Sequence, residues 1–384
     1  MKMLVLGAGL QGSACAYDLL KDPDVTEVRI ADLHVDSLPA FLAKAPGADK
    51  KLKPIQLDVR DRKALLAAMQ GCDAAMSAIP YYFNYEMAEC AVEAGIHFAD
   101  LGGNTEIVFK QKGLDAEATK KKLSVMPDCG LAPGMVNILA EHGIEQLDSV
   151  DAVRIYVGGL PQHPQAPLNY QIVYSLEGVL DYYTTLSWVL RDGKRTQVKA
   201  LSELEPIEFA KPIGTLEAFH TAGGLSTMAS RYEGNIPTME YKTLRYAGHA
   251  KIMEAIRDLG LLEQEPIEVN GMSVSPRAVA VAAMGPRLTM PESADLVALR
   301  VIVSGTKDGK KKTFEWDLVD RYDESTGISA MERTTGFSLA ITGLMQVRGQ
   351  VKALGVRTPD EAMPAKPYIA ELRKRGIDIT EQVR

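Results

Sequence analysis

Over the first third of the chain, short apolar or β-branched runs alternate with longer amphipathic segments. A parallel sheet with crossover helices writes itself in this way. The pattern predicts strands over Met3 to Gly7, Glu27 to Asp32, Lys53 to Asp58, Asp73 to Ala78, His97 to Asp100 and Ser124 to Asp128. Helices are expected between them, over Gln11 to Lys21, Val35 to Ala45, Asp61 to Met69, Asn84 to Ala94 and Thr105 to Lys122. This alternation implies the α/β class, with a Rossmann-type doubly wound parallel sheet.

After Ala132-Pro133-Gly134 the pattern changes. A helix from about Gly134 to Glu145 leads into a strand over Asp151 to Gly158, followed by the proline-dense loop Pro161 to Pro167. Tyr241 to Tyr246, Ala298 to Ser304 and Lys312 to Val319 read as further strands. The last two are joined across Lys307-Asp308-Gly309-Lys310, where Asp-Gly suits the φ > 0 positions of a tight hairpin. Helices are expected over Ser175 to Leu190, His249 to Leu259 and Gly336 to Arg348. The reading is a second α+β domain with a mixed sheet. A dinucleotide-binding domain spans 1–130 and is completed by 336–384, while 131–335 forms the substrate-binding and oligomerisation domain.

Composition narrows the function classes. The 384 residues are 46% hydrophobic and 24% charged, with a net charge of −7 and no long basic run. Nucleic acid is an unexpected partner for such a chain. The most apolar stretches fall well short of the roughly 20 residues a membrane span needs, so a soluble, cytoplasmic protein with no membrane partner is expected. Its four cysteines are scattered without a C-x-x-C pair, which suits reduced thiols. The six histidines do not pair at ligand spacing, and no metal is expected.

Gly7-Ala8-Gly9-Leu10-Gln11-Gly12 follows an apolar strand and opens a helix, the setting that distinguishes a dinucleotide fingerprint from a chance match. Gly7 permits the turn, Gly9 lets the backbone approach a pyrophosphate and Gly12 allows helix and strand to touch. Asp32 ends the second strand about 20 residues later, where a carboxylate accepts both ribose hydroxyls. That carboxylate opposes a 2′-phosphate, so NAD is the expected cofactor. Asp58 and Val59 fall either near the adenine or at a helix cap. Ala78 and Pro80 close the fourth strand, and Leu101 with Gly102 follows the fifth, where backbone approaches the nicotinamide side.

Several strings carry a resemblance: Asp100-Leu101-Gly102-Gly103, Asp128 through Asn137, Ala218-Phe219-His220-Thr221-Ala222-Gly223-Gly224 and Tyr241 through His249. Together they resemble the saccharopine dehydrogenase-like family, nearest to its lysine 6-dehydrogenase branch, over most of the chain. The resemblance implies NAD-dependent oxidation of the ε-amine of L-lysine to an aldehyde that cyclises, with release of ammonia. It also implies a homo-oligomer, dimer or tetramer. A saccharopine or carboxynorspermidine dehydrogenase is the nearest alternative, and a non-catalytic NAD-sensing protein is a rival of another class.

The chemistry constrains the site on its own terms. An ammonium with pKa near 10.4 leaves about one molecule in a thousand neutral at pH 7.4, so the amine must be deprotonated before hydride departs. His220 is the first candidate for proton handling, with Gly223 and Gly224 expected to leave room for a ligand. A loop-bonded histidine is its bland counterpart. Arg245, on one side of its strand with Thr243, suits an α-carboxylate; an exposed strand arginine is the alternative. Asp100 either holds the amine or caps the helix near Asn104. Asp128 is either a second such group or part of a turn. Ala132, Met135 and Asn137 are placed on the floor of the cleft. Leu176 is expected to line the aliphatic part of the substrate, with helix packing as its alternative, and Tyr82 and Asn84 to cover the nicotinamide, with packing against the second domain as theirs.

Overall fold

A computed structural model describes residues 1–173, 175–290 and 293–384. They form two compact units. The first comprises Met1–Gln146, Ser226–Arg231 and Asp323–Ile379; the second comprises Leu147–Leu225, Tyr232–Tyr322 and Thr380–Arg384.

In the first unit, strands β1 (Lys2–Leu6), β2 (Glu27–Asp32), β3 (Leu52–Gln56), β4 (Ala74–Ser77), β5 (His97–Asp100) and β6 (Ser124–Met126) all pair in parallel. Among the described residues the sheet order is Gly355–Val356, β6, β5, β4, β1, β2, β3. The order reverses between β1 and β4, the switch point beside which open α/β sheets bind ligands at the strands' carboxyl ends. The expected doubly wound sheet is present, with Gly355–Val356 added beside β6. β1 and β4 are buried almost throughout, so both faces must be covered. One cover is the helix Ala330–Val347, which opens with a Ser329/Glu332 capping box. Its Gly336 lies so close to the helix Leu10–Lys21 that an added Cβ would stand 2.7 Å from Ala14 Cβ and from the Gln11 carbonyl oxygen. Farther along, Gln346 Nε2 donates to the carbonyls of Phe98 and Ser124, tying the helix to β5 and β6.

The second unit holds β7 (Ser149–Pro161), β8 (Ser187–Arg191), β9 (Lys194–Val198), β10 (Glu205–Glu208), β11 (Thr215–His220), β12 (Thr238–Tyr246), β13 (Ile267–Val269), β14 (Met272–Val274), β15 (Asp295–Lys307) and β16 (Lys310–Arg321). Its main sheet runs β10, β11, β12, β7, β15, β16 and then Thr380–Val383. β12 pairs with β7 in parallel and its other neighbours are antiparallel, giving the expected mixed sheet. The Asp308-Gly309 turn forms as expected, with φ of 51° and 73° and Lys307 opposite Lys310.

Three helix expectations need correction. Val35 to Ala45 keeps only the single turn Ala40–Ala43. Thr105 to Lys122 splits into Thr105–Lys112 and Asp115–Lys120. Ser175 to Leu190 is helical only over Leu176–Thr184, after which the chain extends into β8. The β-branched and aromatic residues Trp188 and Val189 favour that strand, and the following Asp192-Gly193 turns it back onto β9.

Candidate active site

The glycine loop joins β1 to the helix Leu10–Lys21. Gly7, at φ +97°, lies against the end of β4, where a Cβ would stand 2.8 Å from the Ala78 oxygen. At Gly12 a Cβ would meet the Gly7 oxygen at 1.9 Å, so helix and turn touch only because no side chain intervenes. Gly9 differs from both: a Cβ there would project into open space. Both polar atoms of the Gln11 side-chain amide are buried without a hydrogen-bond partner among the described residues. Leu10 is half exposed beside the loop. Asp32 Oδ2 accepts from the Ala8 amide at 2.7 Å and Oδ1 from the His34 amide at 3.0 Å, which fixes the carboxylate at the loop. The open edge at Gly9, the unsatisfied Gln11 amide and the fixed carboxylate fit a dinucleotide.

Asp58 does not cap a helix. Its carboxylate accepts from the Arg60 amide and is clasped by the Arg60 guanidinium, which holds its pKa down to about 2. The cap of Arg62–Met69 is Asp61, bonded to the Ala64 amide. Val59 is half-buried beside the core of the first unit. Tyr82 is exposed on the short 3-10 turn Tyr81–Phe83, two residues after the exposed Pro80. Asn84 is buried instead, its Oδ1 accepting from Ser77 Oγ at 2.8 Å, so its side chain serves the core.

At the end of β5, Asp100 is fully buried and Asn104 caps the next helix, so the capping alternative for Asp100 does not hold. Asp100 Oδ1 accepts from the Gly102 amide at 2.7 Å and the Asp128 amide at 3.3 Å, while Oδ2 accepts from Gln111 Nε2 at 2.7 Å. Burial lifts its pKa to about 6 against those three donors. Asp128 accepts from Ser226 Oγ, and burial, then the Asp100 charge, lifts it to about 7. The loop they flank has positive φ at Gly102 and Gly103. Asn137 lies on the helix Met135–Ile144, where its Oδ1 accepts from the Gly134 amide at 2.6 Å and Nδ2 donates to Met228 Sδ. That places Asn137 in a structural role, and Met135 is fully buried in the same helix, while Ala132 is only partly buried.

In the second unit the candidate catalytic set divides. Cross-strand partners share a face of a sheet, and His220 pairs with Lys242 whereas Phe219 pairs with Thr243. His220 therefore lies on the face opposite Thr243 and Arg245. The space expected beside His220 is also absent, because a Cβ on Gly224 would run into the Tyr241 ring at 2.3 Å and one on Gly223 would meet Tyr182 at 3.3 Å. His220 Nδ1 faces the Tyr241 carbonyl at 3.2 Å, so that nitrogen carries the hydrogen. Nε2 lies 3.1 Å from Glu203 Oε2 and 3.3 Å from Arg191 Nη2. The same guanidinium nitrogen reaches Glu203 at 2.9 Å and Glu240 at 2.7 Å. Burial pushes the imidazole pKa down, in keeping with a neutral ring. Glu203, His220 and Glu240 bring ligand-type atoms within 4.8 Å of one another, a metal-like grouping that sequence spacing did not show. Arg191 already bridges all three.

On the other face, the Arg245 guanidinium is buried over the Tyr170 ring at 4.7 Å, with Nη1 donating to the Leu244 carbonyl. The exposed-arginine alternative is thereby removed. Thr243 Oγ1 lies 2.7 Å from Thr221 Oγ1. Beside them His249 Nδ1 donates to the Leu168 carbonyl, so Nε2 accepts from the Tyr183 hydroxyl at 2.9 Å. Burial, then the Arg245 charge, pushes His249 down to about 3. Leu176 is part of the adjoining apolar core with Phe219, Tyr170 and Tyr183, so packing accounts for it. Sequence reasoning missed Arg191, Glu203, Glu240 and Ser226, because each acquires its partners from distant parts of the chain.

Comparison with known proteins gives a consistent result. The saccharopine dehydrogenase NADP binding domain model matches residues 3–126, and the saccharopine dehydrogenase C-terminal domain model matches residues 130–377. Saccharopine dehydrogenase (NADP(+), L-glutamate-forming) of Saccharomyces cerevisiae is 27% identical over 307 residues, 77% of this chain and 66% of the yeast protein. Carboxyaminopropylagmatine dehydrogenase of Synechocystis is 22% identical over 418 residues, covering 100% of this chain and 98% of the relative. The mitochondrial alpha-aminoadipic semialdehyde synthase of Mus musculus is 22% identical, and there the match covers about half of the relative, 48%. Among solved structures, apo saccharopine dehydrogenase (L-Glu forming) from Saccharomyces cerevisiae superposes with a TM-score of 0.80 at 22% identity, over 100% of this chain and 99% of that one. Homospermidine synthase from Legionella pneumophila, in complex with NAD, gives 0.69 at 9% identity, over 100% and 91%. The two family models follow one another in chain order and together account for nearly every residue: the chain belongs to the saccharopine dehydrogenase family.

Proposed function

We propose that this protein is an NAD-dependent dehydrogenase of a primary amine, oxidising L-lysine at its ε-carbon to the 6-semialdehyde with release of ammonia. The observation that carries the cofactor half is Asp32, held on the Ala8 amide at the mouth of the glycine loop. A carboxylate there accepts ribose hydroxyls and repels a 2′-phosphate. Family membership and the strings shared with amine-oxidising members support the amine half.

Bound NAD supplies the hydride acceptor. The chain's own residues must present the substrate neutral and oriented. Arg245 and Thr243, together on one face of β12, are assigned to the α-carboxylate. Asp100 is fully buried and holds the Leu101–Gly103 loop rather than reaching a substrate itself. His220, on the opposite sheet face in a charged network, is assigned to holding β11 and β12 rather than to proton transfer. Loss of hydride from the carbon gives an imine, water adds, ammonia departs and the aldehyde cyclises with the α-amine. A cytoplasmic setting and a homo-oligomer complete the proposal; four buried, free cysteines support a reducing compartment.

A second reading, a dehydrogenase of secondary amines, is favoured by the end-to-end match to the Synechocystis relative. Mixing the protein with NAD and lysine, and separately with saccharopine or carboxynorspermidine, distinguishes them: NADH and ammonia in equal amounts with lysine support the first reading. NADH without ammonia, with a secondary amine only, supports the second. Tight NAD binding with no turnover across such a panel would point to a sensing protein.

A further inference from the structure

Asp100 ends β5 and Asp128 lies two residues beyond its parallel neighbour β6, and both carboxyls are buried in the first unit. Among the described residues, no Lys or Arg nitrogen forms an ion pair with either. The groups that face them are the Gln111 amide, the Ser226 hydroxyl, the buried Cys129 thiol and, farther off, Asp360, whose own charge is met by Arg231. Two anions in this setting repel each other with no cation to offset them.

The hydrogen bonds show which carboxyl is the anion. Asp100 receives three N–H donors, the Gly102 and Asp128 amides and Gln111 Nε2. Asp128 receives one N–H donor, the Gly103 amide, and meets a hydroxyl, Ser226 Oγ, which accepts as readily as it donates. A proton on Asp128 therefore satisfies both groups. Asp128 Oδ1 also lies against the backbone of Gly102, where a Cβ would stand 1.6 Å away. Asp128 and Ser226 are both non-glycine residues at positive φ, 63° and 53°, so this contact is maintained at some backbone cost.

We propose that Asp128 is a positioning residue: it shares one proton with Asp100 in a buried carboxyl pair, and that proton keeps the Leu101–Gly103 loop in its working geometry. The functional half rests on the reading above; the proton and the loop do not. The pair touches no substrate in this arrangement, being fully buried, and acts through the loop beneath which it lies.

Infrared spectroscopy of the full-length protein tests the proton directly. The wild type should show the C=O band of a solvent-shielded carboxylic acid at pH 6, disappearing with a midpoint near 7. Asp128→Asn should remove the titration near 7, leaving only the Asp100 carboxyl, whose midpoint lies at about 6. Asp100→Asn should keep the band but lower its midpoint by about one pH unit or more, since the neighbouring charge is gone. Hydrogen exchange tests the loop: Asp128→Ala should speed exchange of the Gly102 and Gly103 amides at least about tenfold, with Asp128→Asn restoring most of the protection. Absence of the wild-type band, or a midpoint that stays near 7 in Asp128→Asn, overturns the shared proton. Unchanged exchange in Asp128→Ala overturns the positioning role. If a variant does not fold, the wild-type titration still decides, and if lysine is not oxidised, neither readout is affected.

Discussion

Gly12 tolerates no side chain, because a methyl group there would occupy the space of the Gly7 carbonyl oxygen. Gly12→Ala should therefore reduce NAD affinity by about tenfold or more, read by calorimetry, since the helix must move away from the turn that presents its amides to the pyrophosphate. At Asp32 charge decides. Asp32→Ser should shift the ratio of NAD to NADP turnover at least about tenfold toward NADP, because about 1–4 kcal/mol of repulsion is removed. These residues were legible in the sequence, since the fingerprint and its acid lie on consecutive local elements. The relation between His220 and Arg245 was not. Each sits on a strand of period two, but which residues face each other across β11 and β12 depends on register, and register is set by distant partners. Arg245→Lys keeps the charge but loses the planar group lying over Tyr170; it should raise KM for lysine several-fold with less effect on kcat.

Elements were readable where their punctuation was local. Glu27–Asp32, His97–Asp100 and Asn84–Ala94 fall at their expected bounds because turn residues or a helix-ending glycine flank them. Asp192-Gly193 and Asn270-Gly271 carry the same hairpin signal as Asp308-Gly309, with positive φ at all six residues, and would have located β8, β9, β13 and β14. Long strands were seen only in part, since β7 and β15 extend well beyond their most apolar cores by pairing with one another. The contact of Ala330–Val347 with Leu10–Lys21 had no local signature at all. It makes a clear prediction: Gly336→Val forces side-chain atoms onto Gln11 and Ala14 and should cost about 1–3 kcal/mol in urea unfolding, weakening NAD binding in parallel.

For the molecule as a whole, the buried ionisable groups set a pH profile of stability. Asp128 titrates near 7 in the native state, well above its ordinary value of 3.8, so the native state holds a proton that the unfolded chain has lost. Stability from that proton is complete below about 3.8 and declines as pH rises through 7. His249, held near 3, acts in the opposite sense: native stability declines as pH falls from the ordinary 6.5 toward 3. Asp128→Asn should consequently gain stability relative to the wild type between pH 5 and 8, by roughly 1 kcal/mol or more, measured as the change in the denaturation midpoint difference. The activity should rise toward alkaline pH for a separate reason, since the substrate ammonium must lose its proton before hydride departs. The most direct test of the proposed chemistry is a spectrophotometric assay at alkaline pH with the purified full-length protein, NAD and L-lysine, with ammonia quantified in the same sample. Lysine should yield NADH and ammonia in a one-to-one ratio, with NADP much the poorer acceptor. No NADH from lysine, alongside brisk NADH formation from a secondary amine, would contradict the proposed chemistry.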